Sequence, residues 1–229
     1  MVSFRRLGAI AAICLLAFGV RVFHLGTQSL WYDEGLSVYL AGLSPLNAIQ
    51  ASAITDHPPL HALLLGVWMQ IAGRSEFAVR FLSLWWSVLA VALTWRLGHE
   101  MMTGAIGAVG ALLLATSALA VWYAQETRGY SLLLALTLVA TWAFARLFCH
   151  SEPRSGKREA AQGNGWTGAT LVVSSVAALY THYYAAFTLL ALNFAFLAVL
   201  ACRLRNRSSN THYTLRFTKY ETSFAPPAP

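Results

Sequence analysis

The chain has 229 residues, 57% of them hydrophobic and only 11% charged, with a mean hydropathy of +0.55. Soluble domains carry about a quarter charged residues, so the composition excludes a domain that covers itself in water and predicts an integral membrane protein. The net charge of +7 does not point to nucleic acid, because the basic residues gather at the ends of apolar runs, where they set orientation in a bilayer.

In chain order, the first apolar run is Leu7–Leu25, behind "MVSFRR". No small-residue cleavage site precedes "RVFHLGTQSLWYDE", so the run reads as a retained first span and not as a secretory signal. Arg21, the one ionisable side chain set noticeably into a span, is expected to snorkel to the nearby interface. The next run, Pro58–Gly73, would reach only ~24 Å as a helix, short of a hydrocarbon core of about 30 Å. Further runs follow at Phe77–Leu97, Gly104–Ala124 and Tyr130–Phe148. The last, Trp166–Cys202, must be two spans joined at "YTHYY", Tyr180–Tyr184. "GAIGAVGA" puts Gly104, Gly107, Ala108 and Ala111 on a close helix-packing face. Cys14, Cys149 and Cys202 lie too far apart for a metal motif or a disulfide framework and read as small hydrophobes. Residues 203–229 form a polar tail without a helix period.

Charge parity fixes the expected topology. If Pro58–Gly73 does not span, then Arg5, Arg6, Arg96, the loop with Arg154, Lys157 and Arg158, and the cluster Arg203, Arg205 and Arg207 share one side, as the cytoplasmic preference of basic residues requires. The prediction is an all-α polytopic protein of about six transmembrane helices plus an outward juxtamembrane helix at Pro58–Gly73. Its N-terminus is cytoplasmic, its apolar portion covers 1–202, and 203–229 is a cytoplasmic tail. The outward face then collects "WYDE", "TDHPPLH", "GRSEFAVR", "AQETRGY" and "YTHYY".

Asp33 and Glu34 follow Trp31 and Tyr32, residue types that sit at headgroup depth. A carboxylate there can deprotonate a hydroxyl or hold a divalent cation. In "TDHPPLH", Asp56 or His57 is expected to cap a helix with Pro58 in its first turn, and the double proline fixes both side chains at the surface. "AQETRGY" brings Glu126, Arg128 and Tyr130 to the same face. The plain reading is a local ion pair of little worth; the functional one gives the Arg128 fork a phosphate. Arg74 and Arg80 are weaker candidates for that task. His182 and Tyr183 read first as an interfacial aromatic belt, with sugar stacking or lipid-phosphate contact as the alternative.

Taken in order, "LWYDEGLS", "DHPPLHALLLGVW", "SEFAVRFLS", "WYAQETRGYSLLLAL" and "YTHYYAAF" resemble the membrane-embedded polyprenyl-phosphate-sugar glycosyltransferases. These are bacterial relatives of the protein O-mannosyltransferases and of the lipid A aminoarabinose transferase, with the C-type glycosyltransferase fold. The resemblance runs from about Arg6 to Leu200. It implies inverting transfer of a sugar from a polyprenyl phosphate to a protein, lipid or glycan acceptor at the outer face of a bacterial inner membrane. Asp33 would be the catalytic carboxylate, with Glu34 supporting it by hydrogen bonding or by cation binding. Arg128 would neutralise the leaving phosphate, Glu126 would position acceptor or arginine, and Asp56 and His57 would line the donor phosphate. Tyr130, His182 and Tyr183 complete the binding set. No cofactor is assigned, and a divalent cation is left open. Family members continue with further spans beyond the position of Leu200. The chain is therefore expected to be the N-terminal portion of such an enzyme, its tail the mark of a truncation or frameshift. The alternatives are a non-catalytic polyprenyl-lipid-binding protein and an inactive remnant. A transporter is disfavoured, because no acidic or basic residue lies mid-span along a plausible pathway, where a coupling site would be expected.

Overall fold

The computed structural model describes residues 4–55, 57–149 and 160–221. Asp56 and the basic loop with Arg154, Lys157 and Arg158 lie outside the described residues. The described chain is helical throughout, with no strand among those residues: α1 Phe4–Val22, α2 Tyr32–Ala41, α3 Pro45–Ile54, α4 Leu60–Ala72, α5 Glu76–Met101, α6 Gly104–Thr116, α7 Ala118–Ala124, α8 Tyr130–Phe144, a π-helical turn Ala145–Cys149, α9 Ala160–Leu179 and α10 Ala185–Glu221. Among the described residues, three helices are long and apolar enough to cross a membrane, Glu76–Met101, Tyr130–Phe148 and Ala185–Arg205. The pair α6 and α7, bent by 61°, makes a fourth if counted as one broken span. Leu7–Val22 and Gly165–Leu179 are shorter apolar helices. α4 has 13 residues, about 20 Å, too short to cross alone.

The chain divides into two compact units, Met1–Leu189 and Leu190–Pro229. Helix α5 organises the first unit, packing against α1, α6, α8, α7 and α4. Small side chains set its spacing. A Cβ on Gly98 would stand 2.6 Å from Gly107 Cα, and one on Gly107 would stand 2.5 Å from Trp95 O. The close face expected of Gly107 and Ala111 is therefore present, and it extends one turn to the buried Ala115. Ala111 and Ala115 meet Ala17 and Val91 in one apolar cluster, while Ala41, Leu65, Met69 and Val79 form a second. The second unit continues α10, apolar at first with a mean hydropathy of 2.3 over Ala185–Arg205. The expectation of a non-helical tail is corrected here, because the helix runs on to Glu221. No proline or glycine stands between Cys202 and Pro226 to break it, and hydropathy alone does not end a helix.

Two further expectations change. Residues 32–41 and 45–54 form helices α2 and α3, so Asp33 and Glu34 stand in a helix's first turn and not in an open loop. Arg21 does not snorkel: it is fully buried. Its Nε donates to Ser87 Oγ at 2.8 Å, and its Nη1 and Nη2 donate to Ala115 O at 2.8 Å and Leu114 O at 3.1 Å. Those carbonyls end α6 where the chain bends at Ser117, and a helix's last carbonyls have no intrahelical partner. A guanidinium there satisfies them and favours the negative end of the helix dipole. Arg21→Leu is expected to lower stability by about 2–3 kcal/mol, since buried carbonyls lose their donors. Thermal melting of the detergent-solubilised protein measures this; an unchanged midpoint would show that water replaces the guanidinium.

Candidate functional site

The polar residues concentrate at the end of the bundle where α5 begins. Ser75 caps that helix, its Oγ accepting from Ala78 N at 3.2 Å, and Arg80 follows within two turns. The opposite end holds a separate cluster, with Glu100 receiving Arg96 at 3.5 Å, Arg146 at 2.9 Å and the Trp142 indole. Arg80 and Arg96 are about 24 Å apart along α5, so the two charged clusters mark opposite ends of the helix.

Glu34 is the third residue of α2 and is fully buried. Its Oε1 accepts from Arg80 Nε at 2.8 Å and from Thr127 N at 2.8 Å. Its Oε2 accepts from Arg80 Nη2 at 2.7 Å and, reaching back over the helix start, from Trp31 N at 3.4 Å. A carboxylate offers about four acceptor positions, and all four are taken. Arg80 is also filled: Nη1 donates to Leu25 O at 3.1 Å and Gln28 O at 2.7 Å, and Nη2 donates to Ser29 O at 3.2 Å. The pair ties the linker after α1, the start of α2, α5 and the loop before α8 into one knot. Burial alone would raise the Glu34 carboxyl; the Arg80 hydrogen bonds, the Thr127 amide, the Arg80 charge and the Trp31 amide outweigh it and hold it below the usual range. Two expectations are thereby corrected. Arg80 has no fork left for a phosphate, and Glu34 has no lone pair left for a cation, so Asp33 and Glu34 do not form a two-carboxylate metal site. The hydrogen bonds of Glu34 run to Arg80 and to the Thr127 and Trp31 amides.

Asp33, one residue earlier, points elsewhere, since adjacent helical residues are turned about 100° apart. Its carboxylate lies 3.7 Å from Arg128 Nη2, with about a third of the Asp33 side chain exposed and Arg128 mostly covered. Arg128 also stands 5.8 Å over the Tyr130 ring, and its backbone oxygen accepts from Ser83 Oγ at 3.2 Å. The local Glu126–Arg128 pair is not the arrangement found. Arg128 turns to Asp33, and Glu126 Oε1 accepts from Trp122 Nε1 at 2.7 Å. Burial, together with the charges of Glu34 and Asp33, raises the Glu126 carboxyl above its ordinary value, against the Trp122 hydrogen bond and the Arg128 charge. Asp33, Glu126, Arg128, Trp122, Tyr123 and Tyr130 line a cavity of about 590 Å³.

A second cavity of about 100 Å³ adjoins it, with Arg128 and Tyr130 shared between them. His57, His182 and Tyr183 line it together with His61, which the sequence reading did not single out. His57 does not cap α4. Its Nδ1 turns back to Thr55 O, and the first free amide of α4, Leu60 N, donates instead to Tyr180 O at 2.9 Å. That bond and the close seat of Gly129, whose added Cβ would meet Thr181 Cγ2 at 3.1 Å and His61 Cβ at 3.4 Å, bring the "HPPL", "ETRG" and "YTHYY" segments together. Burial first, and then the Arg128 charge, pushes the His61 imidazole down to about 4. His182 is lowered by the same two causes and by His57. Of the expected site residues, Asp33, Glu126, Arg128 and Tyr130 share the larger cavity, and His57, His182 and Tyr183 the smaller. Thr127, His61 and Ser52 were missed, and Arg80 was read only as a weaker phosphate candidate. They are ordinary residues in sequence, and only long-range packing gives them a part.

Apolar helices of membrane-crossing length with charged clusters at both ends define an all-α integral membrane protein, and the polar site lies at the end where α5 begins. Residues 56–218, well over half of the chain, match the model of the dolichyl-phosphate-mannose-protein mannosyltransferase family. The chain belongs to that family, a family of membrane glycosyltransferases. The match includes the His57, Glu126, Arg128 and His182 segments and begins after Asp33 and Glu34. No curated protein and no solved structure matches the chain.

Proposed function

We propose that the chain carries the site of an inverting glycosyltransferase that moves a sugar from a polyprenyl phosphate to an acceptor hydroxyl at the outer face of the membrane. The observation that carries this reading is the facing pair of Asp33 and Arg128 on an aromatic-lined cavity of about 590 Å³. The contact is long, at 3.7 Å, and its Asp33 side is about a third exposed, so a substrate can part it. Asp33 then takes the proton of the acceptor hydroxyl. The acceptor oxygen bonds to the sugar's anomeric carbon, and the carbon–oxygen bond to phosphate breaks. The electron pair leaves with the polyprenyl phosphate, whose charge Arg128 neutralises. Glu34 is a positioning residue, holding the Thr127 amide beside Arg128. Glu126, with its raised carboxyl, orients the acceptor. His57, Tyr130, His182 and Tyr183 lie on the donor's side of Arg128.

The reading includes six spans, obtained by adding Leu7–Val22 and Gly165–Leu179 to the four candidates, with α4 lying along the outer surface. It places the protein in a bacterial inner membrane, N-terminus inside, and leaves protein, lipid and glycan acceptors open. The test is binding of farnesyl phosphate, a short sugar-free prenyl phosphate, followed by tryptophan fluorescence. Arg128→Gln is expected to weaken binding about 10–100-fold, the cost of one lost charge-assisted contact to an oxyanion. Equal binding by wild type and variant would remove Arg128 from the phosphate. Binding without any turnover of a sugar-bearing donor would favour the second reading, a lipid-binding protein built on the same site.

A further inference from the structure

The smaller cavity carries an assignment of its own, which rests on the glycosyltransferase reading and deepens it. Its polar lining is Ser37, Ser52, His57, His61, Thr181 and His182, with Arg128 at the rim. Hydrogen bonds fix the ring protons of two of the histidines. The Nδ1 of His57 faces Thr55 O. A carbonyl only accepts, so Nδ1 carries the proton and Nε2 of the neutral ring is a bare acceptor. The Nδ1 of His182 accepts from Tyr184 N at 3.2 Å, so its proton is on Nε2, a donor. Ser52 is 2% exposed, and its Oγ has no hydrogen-bond partner among the described residues. Leaving a buried hydroxyl unpaired is unfavourable, and the imbalance is removed when a ligand group arrives that both donates and accepts.

This mixture selects among ligand chemistries. The phosphodiester of a polyprenyl-phosphate sugar only accepts, and it would meet the lone pair of His57. A hydroxyl matches donor, acceptor and serine alike. The cavity is the tighter of the two, about 100 Å³ against about 590 Å³ for its neighbour, so it suits one edge of a sugar ring while the phosphate stays in the larger. The Tyr130 and His182 rings, 5.3 Å apart and tilted by 35°, supply a flat wall beside it. We propose that this cavity is the sugar-recognition subsite, taking neighbouring hydroxyls of the carried sugar on Ser52 Oγ, His57 Nε2 and His182 Nε2. The phosphate stays with Arg128, and the acceptor stays beside Asp33. His57 thereby reads sugar and not phosphate.

The test compares dissociation constants of the full chain in detergent for farnesyl phosphate and for its mannosyl, glucosyl and arabinosyl esters. Wild type is expected to bind at least one ester tighter than farnesyl phosphate. Ser52→Ala and His57→Phe are each expected to reduce that preference about tenfold, the worth of one hydrogen bond to a buried partner. The farnesyl phosphate constant is the internal reference, and melting curves check folding. Arg128→Gln is expected to weaken all probes together and leave the preference in place. If the esters bind no better than farnesyl phosphate, or if the preference survives both substitutions, the subsite is overturned while the phosphate reading stands. If wild type binds none of the probes, the glycosyltransferase reading falls and the subsite with it.

Discussion

Asp33→Asn is expected to reduce sugar transfer by about 10²–10⁴-fold, the usual worth of a positioned general base, while the helical fold survives. The carboxylate stands on the cavity side of α2, over a third exposed, and its one ion-pair partner is Arg128 at 3.7 Å. Asparagine keeps the size and hydrogen-bonding shape but cannot take a proton. Helical content and farnesyl phosphate binding should therefore match wild type, and only turnover of a sugar-bearing donor should fall. A variant that transfers at the wild-type rate would remove Asp33 from the chemistry and leave Glu126 as the cavity carboxylate not bound to Arg80.

Glu34→Gln has the opposite signature. It is expected to cost about 3–5 kcal/mol of stability, because a buried guanidinium loses its counter-charge. Arg80→Met should fare no better, since the carbonyls of Leu25, Gln28 and Ser29 lose their donors as well. Thermal unfolding in detergent reads both. The pH dependence follows from the direction of the Glu34 shift. A carboxyl held lower in the folded state contributes stability that is complete above the unfolded carboxylate's own range, about 4.3. That contribution is lost as pH falls through the folded value. The wild-type melting temperature should drop on acidification through that window, and the Glu34→Gln curve should be flatter there. Equal acid sensitivity in both would place the titrating group elsewhere.

The long helices were legible because a bilayer imposes a minimum apolar length, and α5, α8 and the first part of α10 satisfy it plainly. Helices α2 and α3 were not. Each has ten residues with serine, glycine or asparagine among them, a pattern shared with ordinary loops. The break at Ser117 was hidden for a related reason: neither proline nor glycine marks it, and what stabilises it is an arginine from α1. In the site, the residue types were readable and their division of labour was not. Asp33 and Glu34 are neighbours of like chemistry, and only the helical rotation between them sends one to the cavity and the other into the interior. Arg80 looked like one more surface cation because its partner lies 46 residues away.

The buried knot at Glu34 also has a consequence for biosynthesis. Its partners are 46 and 93 residues further along the chain, in α5 and before α8. When α1 and α2 emerge, the carboxylate has neither its guanidinium nor the Thr127 amide, and a lone ionised carboxylate is excluded from an apolar interior. The front of the protein must therefore wait, with α2 in water or at the headgroups, until the α5 hairpin has been inserted and the loop before α8 has been delivered. Site assembly is thus the final act of inserting the first half of the chain. Any lesion that delays α5 or the Thr127 loop would therefore leave the first segment unclosed.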